Sequence, residues 1–523
     1  MSLITLIPKT PFIKLGSCKD YAMKTAITPT RAEDYPEWYQ AVVKAAELAE
    51  HSPVRGCMVV KPWGYALWER VQAALDGMIK ATGHDNVAMP TLLPLAFFEQ
   101  EAKHVEGFAK ETMVMTHYRL KLDEQNKLVP DPSSKLEEPY VLRPTSELMF
   151  GHMYSKWVQS YRDLPIKLNQ WGSVFRWEMR TRLFLRTAEF IWQEGHTAHA
   201  TREEAIDETS TMLEVYEHLL HEYLAIDTIC GYKTVDELFP GAEHTLSSEA
   251  MMQDKKALQA STSHFLGQNF AKACQIQFLD QAGEQQLAHT TSWGASTRMI
   301  GGLIMSHSDD DGLVLPPRLA PAQIIILPIY KNEQERDQVM PAVTKLVDEL
   351  RKLTVFDEAV RVKVDDRELR GGEKKWQAVK QGVPIRIELG PKDIAKQQVC
   401  FARRDHASNA KQFLALTEVY GTIQGVLLEM QQGLFARSRQ RLNQHTRAVD
   451  SLEAFERFFK EEGGFAIAFW CEAAIDHPLL TKLKVTPRCI PLVGSRFRPT
   501  QRQGICIFTG EKTGVEVVFG LAY

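Results

Sequence analysis

The chain has no window close to the roughly 18 uninterrupted apolar residues that a membrane span needs. Its mildly apolar start, MSLITLIPKTPFIKLGS, is broken by Pro8, Lys9 and Pro11, and no small-residue cleavage site follows, so no signal peptide is expected. There is no internal repeat and no low-complexity tract. Cysteine is sparse and scattered, at Cys18, Cys57, Cys230, Cys274, Cys400, Cys471, Cys489 and Cys506. That spacing offers no disulfide framework and suits a reducing, cytoplasmic location. An excess of positive charge is also missing. The formal net charge of −4 excludes a protein coated for nucleic acid, though not a local basic track. Lys and Arg outnumber Asp and Glu between Arg361 and Lys411, and again from Arg437 on, where Arg439, Arg441, Arg496, Arg498 and Arg502 follow. What remains is ordinary: 523 residues, 44% hydrophobic and 24% charged, enough for two to four soluble domains.

The richest stretch is Trp171–Thr201, WGSVFRWEMRTRLFLRTAEFIWQEGHTAHAT. It reads as two strands flanking a basic loop. Side chains alternate between faces along a strand. Val174, Arg176 and Glu178 therefore share one side, and Phe190, Trp192, Glu194 and His196 share a face of the return strand. Arg180, Arg182 and Arg186 lie in the loop. Arginine forks match phosphate oxygens in pairs and an aromatic face can stack on a base, which makes this a nucleotide site in outline. An amphipathic hairpin with a solvated turn is the plain alternative.

The spacing Phe-Arg-x-Glu, loop, Arg-x-x-x-Phe-x-x-x-Glu resembles motif 2 of the class II aminoacyl-tRNA synthetases, with Arg176, Glu178, Arg186, Phe190 and Glu194 at its places. LRPTSE (Leu142–Glu147), LQASTSHFLGQNF (Leu258–Phe270) and TSWGASTRMIGGLIMSHSDDDGLVLPPRLAP (Thr291–Pro321) closely resemble prolyl-tRNA synthetases. VRGCMVVKPWGYALWE and GVPIRIELGPKD do so too, and the C-terminus with Tyr523 resembles the archaeal/eukaryote-like branch. The resemblance covers about Thr28 to Tyr523. It implies an α/β multidomain protein: a class II catalytic core built on an antiparallel sheet with flanking helices (28–318), an α/β anticodon-binding domain (319–427) and a small α+β C-terminal domain (428–523). Residues 1–27 read as an extension.

Local patterns agree with that division. Pro62–Ala81 has Trp63, Ala66, Leu67, Val71, Ala74 and Met78 at helical spacing, with Gly83 as its stop. A short strand Asn86–Pro90 is expected after it. Helix, strand and closing proline resemble motif 1, which implies a homodimer. Thr145 can cap a helix reaching Trp157. His289–Trp293 reads as a strand and Gly294–His307 as a helix. On that helix Gly301 and Gly302 lie one turn from Arg298, where they serve either ligand approach or helix packing. The prolines of Leu315–Pro321 mark a boundary. Beyond it strands and helices alternate, which suggests a mostly parallel sheet. A helix over about Ser408–Asn443, interrupted near Gly421, follows.

The resemblance implies proline–tRNA ligase activity: L-proline and ATP give prolyl-adenylate, and the prolyl group passes to the 3′ end of tRNA(Pro). A carboxylate is already ionised at pH 7, so the site must align reactants and neutralise charge, which suits arginines rather than a base. The implied catalytic residues are Arg176 and Arg298. Thr145, Glu147, Arg176, Trp192, Glu194, His196, His264 and Phe270 would surround proline. Arg176, Glu178, Arg186, Thr187, Phe190, Gln259, Thr262, Ser296 and Arg298 would bind ATP, with Mg²⁺ held largely by phosphates and water. Lys374, Lys375, Trp376, Arg386, Glu388 and Lys392 are the candidates for reading the anticodon.

Three departures stand out. Relatives in this branch often hold zinc with four cysteines, but here only Cys471 and Cys506 fall in place. Asp476 stands for the second and Ile507–Thr509 for the fourth. His477 could rescue one position, and structural zinc is not expected. Ser261 and Ser308 stand where glycine would. The stretch Thr201–His289 is too short for an editing insertion. Two other readings remain open: a class II ligase for threonine or glycine, and a catalytically dead paralogue. The latter should have lost Arg176 and Arg298. Neither ATP-binding signature of class I synthetases is present.

Overall fold

A computed structural model describes residues 25–101, 112–408 and 410–523. Most of the N-terminal extension therefore lies outside the described residues.

The helix Pro62–Ala81 forms as its pattern requires, with proline in its first turn and Gly83 left-handed just beyond its end. Its buried stripe, including Leu67, Val71 and Leu75, packs into the main core with Trp38 and Val42 of the helix Tyr35–Ala45. The strand expected at 86–90 is only Asp85–Asn86, which pairs in parallel with Ile166–Phe175.

The molecule is organised around one eleven-stranded sheet. From one edge its strands are Asp85–Asn86, Ile166–Phe175, Glu189–His199, His289–Ser296, Ala257–Gly267, His244–Met251 and Thr228–Tyr232. It then continues into the C-terminal region through Thr486–Pro491, Glu516–Gly520, Phe465–Phe469 and Thr446–Ala448. From Ile166–Phe175 to Glu516–Gly520 and Phe465–Phe469 every neighbouring pair is antiparallel. The join is made by Gly231 opposite Pro491 and Tyr232 opposite Ile490. The helix Arg202–His218, opened by a Thr201–Glu204 capping box, contacts the strands of the catalytic part.

The second sheet has five strands. Val362–Val364, Ile324–Pro328 and Ile385–Leu389 are parallel, and Gln398–Arg403 and Gln412–Ala415 are added antiparallel, so the expected parallel sheet has an antiparallel edge. The long helix starts at Leu416, not near Ser408, and runs unbroken through Gly421 to Gln444. A glycine inside a helix costs about 1 kcal/mol. The buried stripe Val419, Ile423, Leu427, Met430 and Leu434 outweighs that cost. Among the described residues no helix is long and apolar enough to cross a membrane.

Candidate active site

The hairpin forms as its alternation requires, with Phe190 opposite Val174 and Glu194 opposite Gln170. The first strand ends at Phe175, so Glu178 belongs to the loop. Arg176 is still held in register, since its N–H donates to the Ala188 carbonyl at 2.8 Å. Its Nε donates to the Pro144 carbonyl at 3.0 Å, and its guanidinium lies over Phe190 (5.5 Å) and Trp192 (5.3 Å). Burial, offset in part by Glu194 and reinforced by Arg298, lowers its pKa to about 10, so it stays a cation at neutral pH.

Glu194 is the hub of the floor. Oε2 accepts from the Thr145 hydroxyl (2.9 Å) and the Ser146 N–H (2.9 Å), and Oε1 from Gln170 Nε2 (3.0 Å). His196 Nε2 lies 3.1 Å from Oε2, and Nδ1 lies 3.3 Å from Glu147 Oε1. Phe150 stacks on the imidazole at 4.3 Å. Burial alone would lower the His196 pKa. Glu147, then Glu194, outweigh it and lift it to about 10. Burial would likewise raise Glu194, but His196 and Ser146 bring it down to about 2. An imidazolium between two carboxylates leaves the group with one net negative charge, which suits a substrate ammonium.

The helix near Thr145 begins at Glu147 with Ser146 as its N-cap. The expected Thr145 cap is corrected: its hydroxyl donates to Glu194 and accepts from the Glu147 N–H at 3.2 Å. Arg298 opens the helix Arg298–His307, and the preceding strand reaches Ser296, beyond the expected Trp293. A Cβ on Gly301 would lie 2.5 Å from Leu185 Cδ2, and one on Gly302 2.8 Å from Leu258 Cδ2. These glycines serve helix packing, not ligand approach.

A cavity of about 320 Å³ gathers most of the predicted residues. Thr145, Glu147, Trp192, Glu194, His196 and His264 line one part, and Arg176, Phe190, Gln259, Thr262, Ser296 and Arg298 line the rest. Burial, with help from the charge on His196, pushes His264 down to about 3, and its Nδ1 pairs with the Thr245 hydroxyl at 2.9 Å. Four predicted residues do not reach the cavity. Phe270 is buried against Leu266 with Phe239 and Ala242, and it is Phe239 that forms the wall. Thr187 turns its hydroxyl to the Glu189 carbonyl at 2.7 Å. Glu178 accepts from the Arg180 N–H at 2.9 Å, with Arg186 4.0 Å away. Arg186 itself lines an adjoining hollow.

The arrangement has the parts for one reaction class: an ammonium trap, two arginines for a carboxylate and phosphates, and an aromatic shelf. Comparison decides the family. Residues 127–307 match the tRNA synthetase class II core domain (G, H, P, S and T), and residues 323–425 match the anticodon binding domain. The chain is 55% identical to the proline–tRNA ligase of Bdellovibrio bacteriovorus, over 95% of this chain and 99% of the relative. It is 54% identical to that of Rhodopirellula baltica over 97% and 100%. It is 50% identical to that of Protochlamydia amoebophila, again over 97% and 100%. The chain belongs to the proline–tRNA ligase family.

In this family member the cavity also uses residues that the motifs did not reveal. Lys233, Glu237 and Phe239 enter from the segment between Tyr232 and His244. Behind them the buried Glu249 accepts from Lys233 Nζ (2.9 Å) and Ser247 (3.1 Å) on Oε1 and from Arg488 Nη2 (3.0 Å) on Oε2. Such charges are invisible to periodicity.

In the anticodon binding domain, Lys374 is buried and donates to the Asp365 carbonyl at 3.1 Å, so it is withdrawn as a base-contacting donor. Arg386 pairs with Glu388 at 3.1 Å, and Glu388 also takes Lys411 at 3.0 Å. Lys375 and Trp376 are half-buried and Lys392 is exposed. Much of the C-terminal arginine run is engaged within the fold: Arg441 holds the Met251 and Ser306 carbonyls, Arg498 those of Pro491 and Gly514, and Arg496 and Arg502 pair with Asp227 and Glu516.

Around the departed zinc positions, the Cys471 thiol lies 3.1 Å from the Thr509 hydroxyl and 3.4 Å from Glu511 Oε2. Cys489 is buried in the strand Thr486–Pro491. Among the described residues no group of three or more His, Cys, Asp or Glu could hold a metal ion. The residues present therefore do not fit a closed zinc site. Ser261 hydrogen-bonds Ser248 at 3.1 Å beside the cavity. Ser308 caps the end of the helix Arg298–His307 at φ −66°, where glycine is not required.

Proposed function

We propose that this chain activates L-proline with ATP and transfers it to tRNA(Pro), with both steps centred on the 320 Å³ cavity. The observation that carries this reading is the Glu147–His196–Glu194 group next to Thr145 and Arg176. Proline's secondary ammonium would sit against Glu147 and Thr145, with its ring between Trp192, His264 and Phe239. Arg176 would hold the substrate carboxylate and the α-phosphate together, Arg298 the outer phosphates, and Phe190 the adenine. A carboxylate oxygen attacks the α-phosphorus and pyrophosphate leaves. A ribose hydroxyl of the tRNA end then attacks the prolyl carbonyl and AMP leaves. Preorganised cations stabilise the charge that builds up in the first step.

Mg²⁺ would arrive as part of the ATP substrate, because Glu249, the carboxylate that acts on Arg298, already has both oxygens taken. Residues 319–427 would read the anticodon, with Arg386, Glu388, Lys375, Trp376 and Lys392 as the remaining candidates. A homodimer is supported by the apolar hairpin Leu120–Leu122/Leu128–Pro130, where Leu120, Leu122 and Leu128 are 59%, 60% and 68% exposed. Residues 201–289 form strands and helices of the catalytic part, so within this chain rejection of alanine would rest on the cavity and not on an editing insertion. A missing methylene changes the rate by a factor of only about 10–200. The test is pyrophosphate exchange with each amino acid in turn. Exchange strongest with threonine or glycine, or with none, would refute the reading.

A further inference from the structure

A short antiparallel pair, Ala49–His51 with Met58–Val60, is joined by the turn Ser52–Cys57, none of whose residues lines the cavity. The turn closes on itself. The Ser52 N–H donates to the Cys57 carbonyl at 3.1 Å, and the Cys57 N–H to the Val54 carbonyl at 3.0 Å. Its one glycine also reaches outward to the hairpin that carries Arg176. The regular ladder of that hairpin ends at the pair Phe175 and Glu189. One step further on, the Arg176 N–H still donates to the Ala188 carbonyl at 2.8 Å, but the Ala188 N–H goes elsewhere, to the Gly56 carbonyl at 2.8 Å. Arg176 thus lies past the end of the ladder, and the residue it hangs on is held from Gly56.

The approach is close enough to require glycine. Gly56 has φ +80°, and a Cβ there would lie 3.0 Å from Ala188 Cβ and 3.2 Å from Thr181 Cγ2. It therefore touches the basic loop near both of its ends. The middle of the loop is fixed separately: the Tyr39 hydroxyl donates to the Leu183 carbonyl at 2.8 Å, and Leu183, Phe184 and Leu185 are buried. Displacing a group that meets the reacting atoms by about 1 Å can cost a factor of about 100 in rate. Ammonium recognition does not pass through this turn, since Glu147, Glu194 and Thr145 are held to one another and to His196.

We propose that Gly56 is a positioning residue for the activation step: by holding Ala188 from outside the hairpin, it sets Arg176 where the substrate carboxylate and the α-phosphate meet. It acts on the rate of adenylate formation more than on the binding of either substrate. This role rests on the ligase reading above.

The test compares the full chain with Gly56→Asn, Ala188→Gly and the two combined, in proline-dependent pyrophosphate exchange well below the melting midpoint. Asn tolerates a positive φ, so Gly56→Asn separates the close approach from backbone strain. Ala188→Gly removes the methyl group that the new Cβ would meet. Gly56→Asn should lower kcat about ten- to a hundredfold, with KM for proline and for ATP within about threefold of wild type. The double variant should recover most of that loss relative to Ala188→Gly, which a general weakening of the fold would not do. A folded Gly56→Asn protein with wild-type kcat would overturn the proposal, and so would a loss that Ala188→Gly leaves unrelieved. A second measurement needs no variant. Residue-resolved hydrogen exchange on the wild-type chain should show the Ala188 amide protected like those of the ladder, and exchange as fast as an exposed loop amide would equally overturn the proposal. Wild-type protein without proline-dependent exchange would overturn the ligase reading itself, and this role with it.

Discussion

Glu194→Gln removes one charge while keeping the side chain's shape. In the native floor Thr145, Ser146 and Gln170 donate to Glu194, and His196 faces it. A carboxamide retains one acceptor oxygen and turns an NH₂ toward the donors on the other side. Up to two charge-assisted hydrogen bonds are lost, at about 1.5–3 kcal/mol each. That matches the roughly 3–5 kcal/mol expected when one partner of a buried ion pair is removed. The pH dependence carries the sharper signature. The His196 pKa is raised from 6.5 to about 10, so its contribution is complete below pH 6.5 and is lost as pH rises through 10. With Glu194 gone only Glu147 supports the imidazolium, and that loss begins at lower pH. Glu194 is lowered from 4.5 to about 2, so its own contribution holds above pH 4.5 and is lost as pH falls through 2. Thermal midpoints from pH 5 to 10, with KM for proline at pH 7 and 9, measure both effects. The variant should melt lower throughout and show KM raised about tenfold or more, with the deficit widening as pH rises. A variant with the wild-type midpoint and an unshifted alkaline limb would refute the argument that Glu194 keeps His196 charged.

Arg176→Ala should lower kcat/KM in proline-dependent exchange by about 10²–10³ or more, because it removes a donor aimed at the reacting oxygens; near-normal exchange would remove Arg176 from the mechanism. Gly301→Ala places a Cβ 2.5 Å from Leu185 and should destabilise the protein by about 1–3 kcal/mol, read as a lower melting midpoint with ATP use still detectable. Purified protein should carry less than one zinc per chain, and a chelator should leave its melting midpoint unchanged; stoichiometric zinc by elemental analysis would contradict the reading of Cys471 and Cys506. Replacing Lys375 and Lys392 together with Gln should impair tRNA(Pro) charging while sparing proline activation, and equal loss of both would assign these residues to folding.

The hairpin from Ile166 to His199 was legible because strand alternation and charge placement point the same way; Arg176, Phe190, Trp192, Glu194 and His196 line one cavity, while Glu178, Arg186 and Thr187 do not. The same holds for Pro62–Ala81, where apolar spacing and terminal signals agree. Phe270 failed for a definable reason: the motif brings it near the site, but Phe239 stands in front of it. Lys233, Glu237 and Phe239 arrive from a short 3₁₀ turn and its flanks, where no period exists to read. Gly301 and Gly302 were ambiguous because a glycine's purpose is set by the atoms opposite, here Leu185 and Leu258. The pairing of Tyr232 with Ile490 joins segments far apart in the chain, and nothing local announces it.

That pairing bears on how the protein is made. Thr228–Tyr232 pairs with His244–Met251 within the catalytic part, and its other side pairs with Thr486–Pro491. During synthesis the strands of the catalytic part can pair long before residue 486 has emerged. Until then they carry an open row of unpaired N–H and C=O groups, the kind of edge that recruits strands from other chains. Residues 486–491 therefore act as a late-arriving closure. A nascent or truncated chain without them would have its floor arginines in place and still be prone to aggregate.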